Sequence, residues 1–485
     1  MVDAPLMLGV SGLRGIVGES LTPEVTVRYA GVVGAALVER YGPAPSVAMG
    51  ADGRVGWQSI AACVRAGLLG SGCSVVELGV ATTPTVGVVV DQEGYDAGVV
   101  ITASHNPQAW NGVKLLVSPT GAGEPVGCRA PSADDSAAIV EAFRGDGDCW
   151  RPPEETGLPW AADADAAAAH AVLFAMEDGV LVPDNGLRMV VDSVNSSGAA
   201  VAREFANVFG VELVQLHGLS SGVFPHTPEP TAENLSDAGG LCDAVPGLKA
   251  DVGFAQDPDA DRLAVVDETG RYIGEEYTLA LCALSLLTAE RDREGERVLV
   301  ANLSTSRMID DIAAAHGARV VRTPVGEANV VEAMKRLASE GCDVVVGGEG
   351  NGGVIWPDVV HVRDSVGSMA LVLSLMARSG KSVSGLVAEI DGLIGGKGYT
   401  ILKTKRPLTS QEDAAPAVSK IAARYGSESG AAVDTQDGVR IDWAERKAWV
   451  HVRASNTEPI MRLIAEAPGE DEARSLAEQV GSLIG

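Results

Sequence analysis

Three stretches of this chain share one layout, and that repetition limits the fold more than any other feature. Each reads as strand, polar turn, helix, glycine and second strand. The first has an apolar run ending at Asp52, a helical pattern over 59–69, Gly72, a strand over 74–78 and Gly79. The second has a run ending at Asp192, a helix over 199–208, Gly210, a strand over 211–216 and Gly218. The third has a run ending at Asn302, a helix over 306–315, Gly317, a strand over 319–322 and Gly326. From Asp52 to Gly79, Asp192 to Gly218 and Asn302 to Gly326 the separations are 27, 26 and 24 positions. Glycine is the usual left-handed stop after a helix, and a strand–helix–strand unit makes a right-handed parallel crossover. One such unit is ordinary. Three of near-equal length predict an α/β fold of three similar mixed domains in series.

The 485 residues allow three or four domains at about 100–200 residues each. A proline-rich stretch over 152–159 closes the first unit, and an alanine-rich helix over 161–176 leads into the second. The turn Asp267-Glu268-Thr269-Gly270 ends the second, and the glycines over 392–398 end the third. The remainder changes pattern: a strand over 398–404, a helix over 413–425, strands over 439–443 and 448–453, and a helix over 470–484. That predicts a smaller α+β domain. The expected division is 1–160, 161–272, 273–392 and 393–485.

Formal net charge is −28, which argues against nucleic acid and anionic membrane as partners. An acidic protein that binds an anionic small molecule must therefore gather Arg and Lys locally. No apolar run reaches the ~20 residues of a membrane span, and the first residues lack the basic and apolar regions of a signal peptide. Seven dispersed cysteines without a CxxC pair suggest reduced thiols and a cytoplasmic location, and argue against zinc.

Four segments carry chemistry. Thr102-Ala103-Ser104-His105-Asn106-Pro107 follows an apolar strand over 97–101, and Pro107 cannot continue a ladder. Ser104 is expected in a fixed, exposed turn at a strand end, with His105 and Lys114 near it, as a hydroxyl that carries a transferable group. Asp257-Pro258-Asp259-Ala260-Asp261-Arg262 places carboxylates at i, i+2 and i+4, on one side of an extended segment. Oxygen-only ligands suit Mg²⁺, while the missing Gly and Glu positions disfavour a calcium loop of the EF-hand type. Gly348-Glu349-Gly350-Asn351-Gly352-Gly353 is a glycine loop after a strand over 343–346 that brings a carboxylate and an amide close to sugar hydroxyls. Arg453-Ala454-Ser455-Asn456-Thr457-Glu458-Pro459-Ile460-Met461-Arg462 reads as a strand end opening into a polar loop, whose two arginines and Ser, Asn and Thr groups can surround a phosphate with charge-assisted bonds. Ser11-Gly12-Leu13-Arg14-Gly15 adds an arginine that can reach a cleft.

In this order the motifs resemble those of the α-D-phosphohexomutase family, and the resemblance covers nearly the whole chain. It implies three similar α/β domains and a smaller fourth around a central cleft. It implies that Ser104 is phosphorylated and that Asp257, Asp259 and Asp261, with a phosphoryl oxygen on Ser104, hold one Mg²⁺ per chain. Arg14, Lys114 and Arg262 would neutralise the phosphoryl group in transfer, with Lys114 or His105 assisting the proton. Glu349 and Asn351 would grip the sugar. Arg453, Ser455, Asn456, Thr457 and Arg462 would hold the phosphate not being transferred. A sugar bisphosphate would be intermediate and activator, the partner would be a small phosphosugar, the chain would work as a monomer or homodimer, and the fourth domain would close as a lid. Asn351 departs from the serine usual in this loop, a form that resembles the archaeal-type branch and points to glucosamine phosphate, with mannose or glucose phosphate as the alternative. A phosphatase would need no distal phosphate site, and a phosphosugar sensor could lose Ser104 or the carboxylates; none is missing here.

Overall fold

The computed structural model describes residues 5–9, 12–119, 127–145, 149–162, 179–291, 293–396, 398–454 and 460–484. The first sheet contains β1 (Leu6–Gly9), β2 (Gly12–Ile16), β3 (Ser46–Ala51), β4 (Ser74–Val80), β5 (Ala97–Ile101), β6 (Trp110–Val117) and β7 (Pro159–Ala161), in spatial order β1-β2-β6-β5-β3-β4-β7. The second contains β8 (Arg188–Asp192), β9 (Glu212–Leu216), β10 (Val252–Gln256) and β11 (Leu263–Val266), in order β11-β10-β8-β9. The third contains β12 (Arg297–Asn302), β13 (Arg319–Thr323), β14 (Asp343–Glu349) and β15 (Gly353–Ile355), in order β13-β12-β14-β15. The fourth is antiparallel throughout: β16 (Thr400–Pro407), β17 (Ala432–Asp434), β18 (Val439–Trp443), β19 (Ala448–Ala454) and β20 (Ile460–Ala467), in order β16-β20-β19-β18-β17.

The sequence repeat is a topological repeat. In each of the first three sheets the repeat's two strands pair in parallel, a third strand pairs in parallel with the first, and a fourth returns antiparallel to the third. The crossover helices are Trp57–Gly70, Gly198–Phe209 and Met308–Ala315. Central parallel strands are covered on both faces, so they read as unbroken apolar runs, and every residue of β5 and β10 is buried. Gly210, at φ +67°, ends its helix in the left-handed conformation that glycine adopts without cost. The chemistry-bearing loop of each unit leaves the third strand: Ser104 follows β5, the aspartates follow β10, and Glu349 closes β14. One fold position therefore recurs three times at the carboxyl ends of parallel strands.

Two strand readings need correction. β14 runs through Glu349 instead of stopping at residue 346, because Gly347, Gly348 and Glu349 pair with β15. Arg462 is not a loop residue; it lies within β20, opposite Arg453 on β19. Ser455, Asn456 and Thr457, and most of the predicted 161–176 helix, lie outside the described residues.

One apolar cluster, running from Val180 to Ile390, joins the second and third sheets. Val360 and Val362 enter a cluster with Val86, Val88 and Val90 beneath the first sheet. The fourth sheet has its own cluster, built from residues such as Ile421, Trp443, Leu463 and Leu476. It meets the third domain through polar groups. Ser304 Oγ lies 2.9 Å from His451 Nδ1, Arg307 N donates to Glu466 at 2.8 Å, and Asp311 accepts from Tyr399 at 2.6 Å and Lys447 at 3.0 Å. All seven cysteines are free, and among the described residues no helix is long and apolar enough to cross a membrane.

Candidate active site

Ser104 sits in the left-handed region at φ +50°, a costly conformation for a residue with a Cβ. Its neighbours hold it there. Its backbone N–H donates to Thr102 Oγ1 at 2.8 Å, and that hydroxyl donates to Asp52 Oδ2 at 2.7 Å. Arg54, fully buried, donates to Ser104 O at 2.6 Å and Trp110 O at 2.8 Å and pairs with Asp52 at 2.8 Å. Ser104 is not the exposed residue its turn suggests: it is 2% exposed, because the aspartate loop of the second domain lies over it. Ser104 Oγ donates to Asp257 Oδ2 at 2.7 Å and lies 3.3 Å from His105 Nδ1.

Asp257, Asp259 and Asp261 are buried, with one oxygen of each within 4.8 Å of the others. Ala260, at φ +54°, turns the segment so that they converge. Asp259 accepts from Thr83 Oγ1 at 2.7 Å, and Asp261 accepts from Lys114 at 2.9 Å and Arg363 at 2.6 Å. Asp259 Oδ1 and Asp261 Oδ1 have no hydrogen-bond partner. Burial, then the adjacent Asp259 and Asp261, push the Asp257 carboxyl well above the ordinary carboxylate range. Burial would raise Asp261 too, but Arg363, Lys114 and Arg262 outweigh it and hold it below that range. Buried carboxylate oxygens without partners are costly unless a cation joins them, and this oxygen-only set fits a hard divalent ion.

Cations surround the serine. Arg14 bonds Asn106 Oδ1 at 3.2 Å, and Arg262 lies 3.8 Å from Asp261. Burial, with Arg262 and Arg14 beside it, lowers the His105 imidazole to about 3, so it is neutral near pH 7. Burial works against the Lys114 charge, but Asp261, Glu327 and Asp259 more than offset it and keep the ammonium protonated.

Arg363, which sequence reasoning missed, links two of the loops. It bonds Asp261 at 2.6 Å, Glu349 at 2.8 Å and Glu327 at 3.3 Å. Glu349 is buried, and its other oxygen accepts from Asn302 Nδ2 at 2.8 Å and Gly326 N at 3.1 Å. Asn351 is half-buried and accepts from Gly353 N at 3.1 Å. Gly352, at φ +82°, lies where a Cβ would come within 2.4 Å of Leu263 O, so this turn needs glycine.

Arg453 and Arg462 are cross-strand partners, and Lys405 stands opposite Arg462, giving three cations in one row on the fourth sheet. Arg453 pairs with Asp437 at 3.3 Å. Asp52 and Asn302 occupy matching places in the repeat and brace the Ser104 and Glu349 loops. The repeat pattern marked both places but did not show what they hold.

A hydroxyl hydrogen-bonded to a carboxylate cluster and ringed by arginine and lysine has the layout of a phosphoryl-transfer site, where charge neutralisation and positioning do most of the work. Comparison with known proteins gives the class a family. Models of phosphoglucomutase/phosphomannomutase α/β/α domains I, II and III match residues 5–126, 175–270 and 275–391, and the model of the C-terminal domain matches 404–482. A probable phosphoglucosamine mutase of Methanopyrus kandleri is 36% identical, over 98% of this chain and 97% of the relative. A phosphoglucomutase/phosphomannomutase of Thermococcus kodakarensis is 35% identical over 97% of each chain. In fold, the chain matches a phosphoglucomutase/phosphomannomutase family protein of Burkholderia thailandensis with TM-score 0.79, at 23% identity over 99% of this chain and 98% of the other. This chain belongs to the phosphoglucomutase/phosphomannomutase family of α-D-phosphohexomutases. It is an intramolecular phosphotransferase acting on a phosphosugar.

Proposed function

We propose that the chain interconverts glucosamine 6-phosphate and glucosamine 1-phosphate through a phosphoserine at Ser104 and a sugar bisphosphate. The 2.7 Å contact between Ser104 Oγ and Asp257 carries this reading. Phosphorylating Ser104 replaces that donor with negative charge beside three buried carboxylates, a state that needs a cation. Asp257, Asp259 and Asp261 would hold Mg²⁺, which when bound supplies that neutralisation. Arg14, Lys114 and Arg262 would neutralise the transferring group, and His105 or Lys114 would assist the proton of the attacking hydroxyl, a reading that the neutral His105 imidazole supports.

The phosphoryl group passes from Ser104 to the free hydroxyl of the sugar phosphate. The bisphosphate then reverses in the cleft and returns its other phosphate to the serine. Arg453 and Arg462, together with Ser455, Asn456 and Thr457, hold the distal phosphate, reading the phosphate and not the ring. Glu349 and Asn351 bind sugar hydroxyls, with the sugar competing against Arg363 and Asn302 for the Glu349 carboxylate. The fourth domain, in the proposed division at residues 160, 272 and 392, closes over the bound sugar and excludes water.

Two measurements test this. Ser104→Ala should lose both covalent phosphate by intact mass and mutase turnover; near-wild-type turnover would overturn the phosphoserine. The kcat/KM for glucosamine, mannose and glucose phosphates, with bisphosphate activator, in wild type and Asn351→Ser, tests the substrate. A wild-type preference for mannose phosphate of tenfold, about 1.4 kcal/mol, would favour the phosphomannomutase reading, which the Thermococcus relative's name also supports.

A further inference from the structure

Asp192 occupies the same place in the second unit as Asp52 and Asn302 do in the first and third. Those two brace a loop at the end of the third strand. Asp192 instead faces two histidines. Its Oδ2 lies 3.0 Å from His217 Nδ1 and 3.0 Å from His226 Nε2, while its Oδ1 accepts from Val194 N at 2.9 Å. Asp192 is buried, His226 mostly so, and His217 about one-third exposed.

The hydrogens decide what this cluster can be. His226 Nδ1 lies 2.8 Å from Thr227 O, and a carbonyl only accepts, so Nδ1 carries a hydrogen. In neutral His226 the lone pair is then on Nε2, pointing at a carboxylate oxygen that also only accepts. That contact is repulsive unless Nε2 is protonated or a cation lies between the two atoms. Protonation could satisfy one histidine. The second imidazole, His217, stands on the same oxygen with ring centroids 5.3 Å apart, and when neutral it can donate its Nδ1–H there, so without a metal the cluster is a charged His226–Asp192 pair with a neutral His217 beside it. A metal ion satisfies all three donors at once. Ligands bonded at about 2.0–2.2 Å and about 90° apart, as on one face of a six-coordinate ion, are separated by about 3.0 Å, the spacing of Asp192 Oδ2 from each histidine nitrogen, while a tetrahedral ion would hold them about 3.4 Å apart. The Nδ1–H to carbonyl bond of His226 is also the outer contact that fixes the tautomer of a metal-ligating histidine.

We propose that Asp192, His217 and His226 form a site for a first-row transition-metal dication of the Zn²⁺ class. Two imidazoles and one carboxylate select such an ion over Mg²⁺, which prefers the oxygen-only loop around Asp257. The site is a clamp. It pins the 217–226 segment to the end of β8, and that segment touches the supports of Ser104. Gly222 O accepts from Val55 N at 3.1 Å and Gln108 Nε2 at 3.0 Å, and Phe224 N donates to Gln108 at 2.8 Å. The Phe224 ring lies under the Arg54 guanidinium, 5.2 Å away. Gly222 packs so closely that a Cβ there would come within 2.0 Å of Gly53 O. The bound ion would fix the second domain's grip on the arginine that holds the reactive serine.

The test uses untagged, full-length protein, stripped of metal with a chelator and then kept in excess Mg²⁺ to fill the carboxylate loop. Co²⁺ titrated into it should bind at one per chain, with visible d–d bands. His226→Gln and His217→Gln should each weaken that binding by more than about 100-fold, beyond the 10–100-fold typical of losing an outer contact. Asp259→Asn should leave it intact. X-ray absorption of the Zn²⁺-loaded wild type should show imidazole scattering, which decides the matter even if the histidine variants fail to fold. Absence of Co²⁺ binding under Mg²⁺, binding that survives both histidine substitutions, or an oxygen-only zinc shell would each overturn the proposal.

Discussion

Arg54→Met should separate stability from catalysis. The side chain has no solvent contact, and it bonds Asp52, Ser104 O and Trp110 O at 2.6–2.8 Å. Removing it leaves a buried carboxylate unpaired, which costs about 3–5 kcal/mol. Burial already drives the Asp52 carboxyl upward and Arg54 opposes that shift, so protonation of Asp52 would cap the loss. The double variant Asp52→Leu/Arg54→Met replaces the pair with apolar groups and should recover most of the stability. Turnover should not recover. Ser104 keeps its left-handed backbone, worth about 1–2 kcal/mol of strain, because Arg54 and Thr102 hold both sides of its peptide. Without them the hydroxyl drifts, and a shift of about 1 Å costs about 100-fold in rate. We expect kcat to fall about 100-fold in both variants with KM little changed, and the thermal midpoint to fall only in the single one. Arg54→Lys should resemble Arg54→Met in kcat, since an ammonium cannot reach the three acceptors as a planar fork does. A single variant with kcat within about threefold of wild type, under 1 kcal/mol, would refute the bracing role.

Other perturbations follow from the same geometry. Asp259→Asn removes one of the three carboxylates proposed to hold Mg²⁺ and should raise the Mg²⁺ concentration needed for half-maximal activity; titration of rate against Mg²⁺ checks it. Arg453→Ala should raise KM by roughly 10- to 150-fold, the worth of charge-assisted bonds of about 1.5–3 kcal/mol, while covalent phosphate on Ser104 persists in the mass spectrum. Glu276 is buried, and burial raises its carboxyl to about 8. The folded chain then keeps a proton that the unfolded chain releases above the ordinary value near 4.5. Its contribution to stability is full below that value and is lost as pH rises to about 8, by at most about 5 kcal/mol. Melting curves from pH 5 to 9 should show wild type falling relative to Glu276→Gln.

Much of this was legible in sequence because the repeat and the reactive loops are local. Strand, helix and glycine recur at fixed spacing, and aspartates two apart announce a convergent carboxylate set. The returning strands were not legible. β11 and β15 span only four and three residues, and β6 carries Lys114 and a glycine within its apolar run. Arg54 and Arg363 escaped for another reason. Each looks like an ordinary polar residue beside a strand or helix end, and its meaning comes from partners far off in the chain, as with Arg363 and Asp261, 102 positions apart. The burial of Ser104 escaped likewise, since a turn shows its own geometry but not the neighbouring domain that covers it.

The four domains are joined by two kinds of seam. Parting the second sheet from the third would expose hydrocarbon such as Leu281 and Leu373, and water offers nothing in return. Parting the fourth from the third exposes hydroxyls, carboxylates, a guanidinium and an imidazole, each of which finds an equivalent partner in solvent. The second and third domains are thus held together by the hydrophobic effect, and the fourth is latched to the third by polar pairs. Because that latch is largely ionic and the chain carries a net −28, dissolved salt acts on it from both directions. It screens the attractive pairs across the seam, and it screens the repulsion among the excess carboxylates. Ionic strength becomes a tuning variable for how firmly the fourth domain sits on the third.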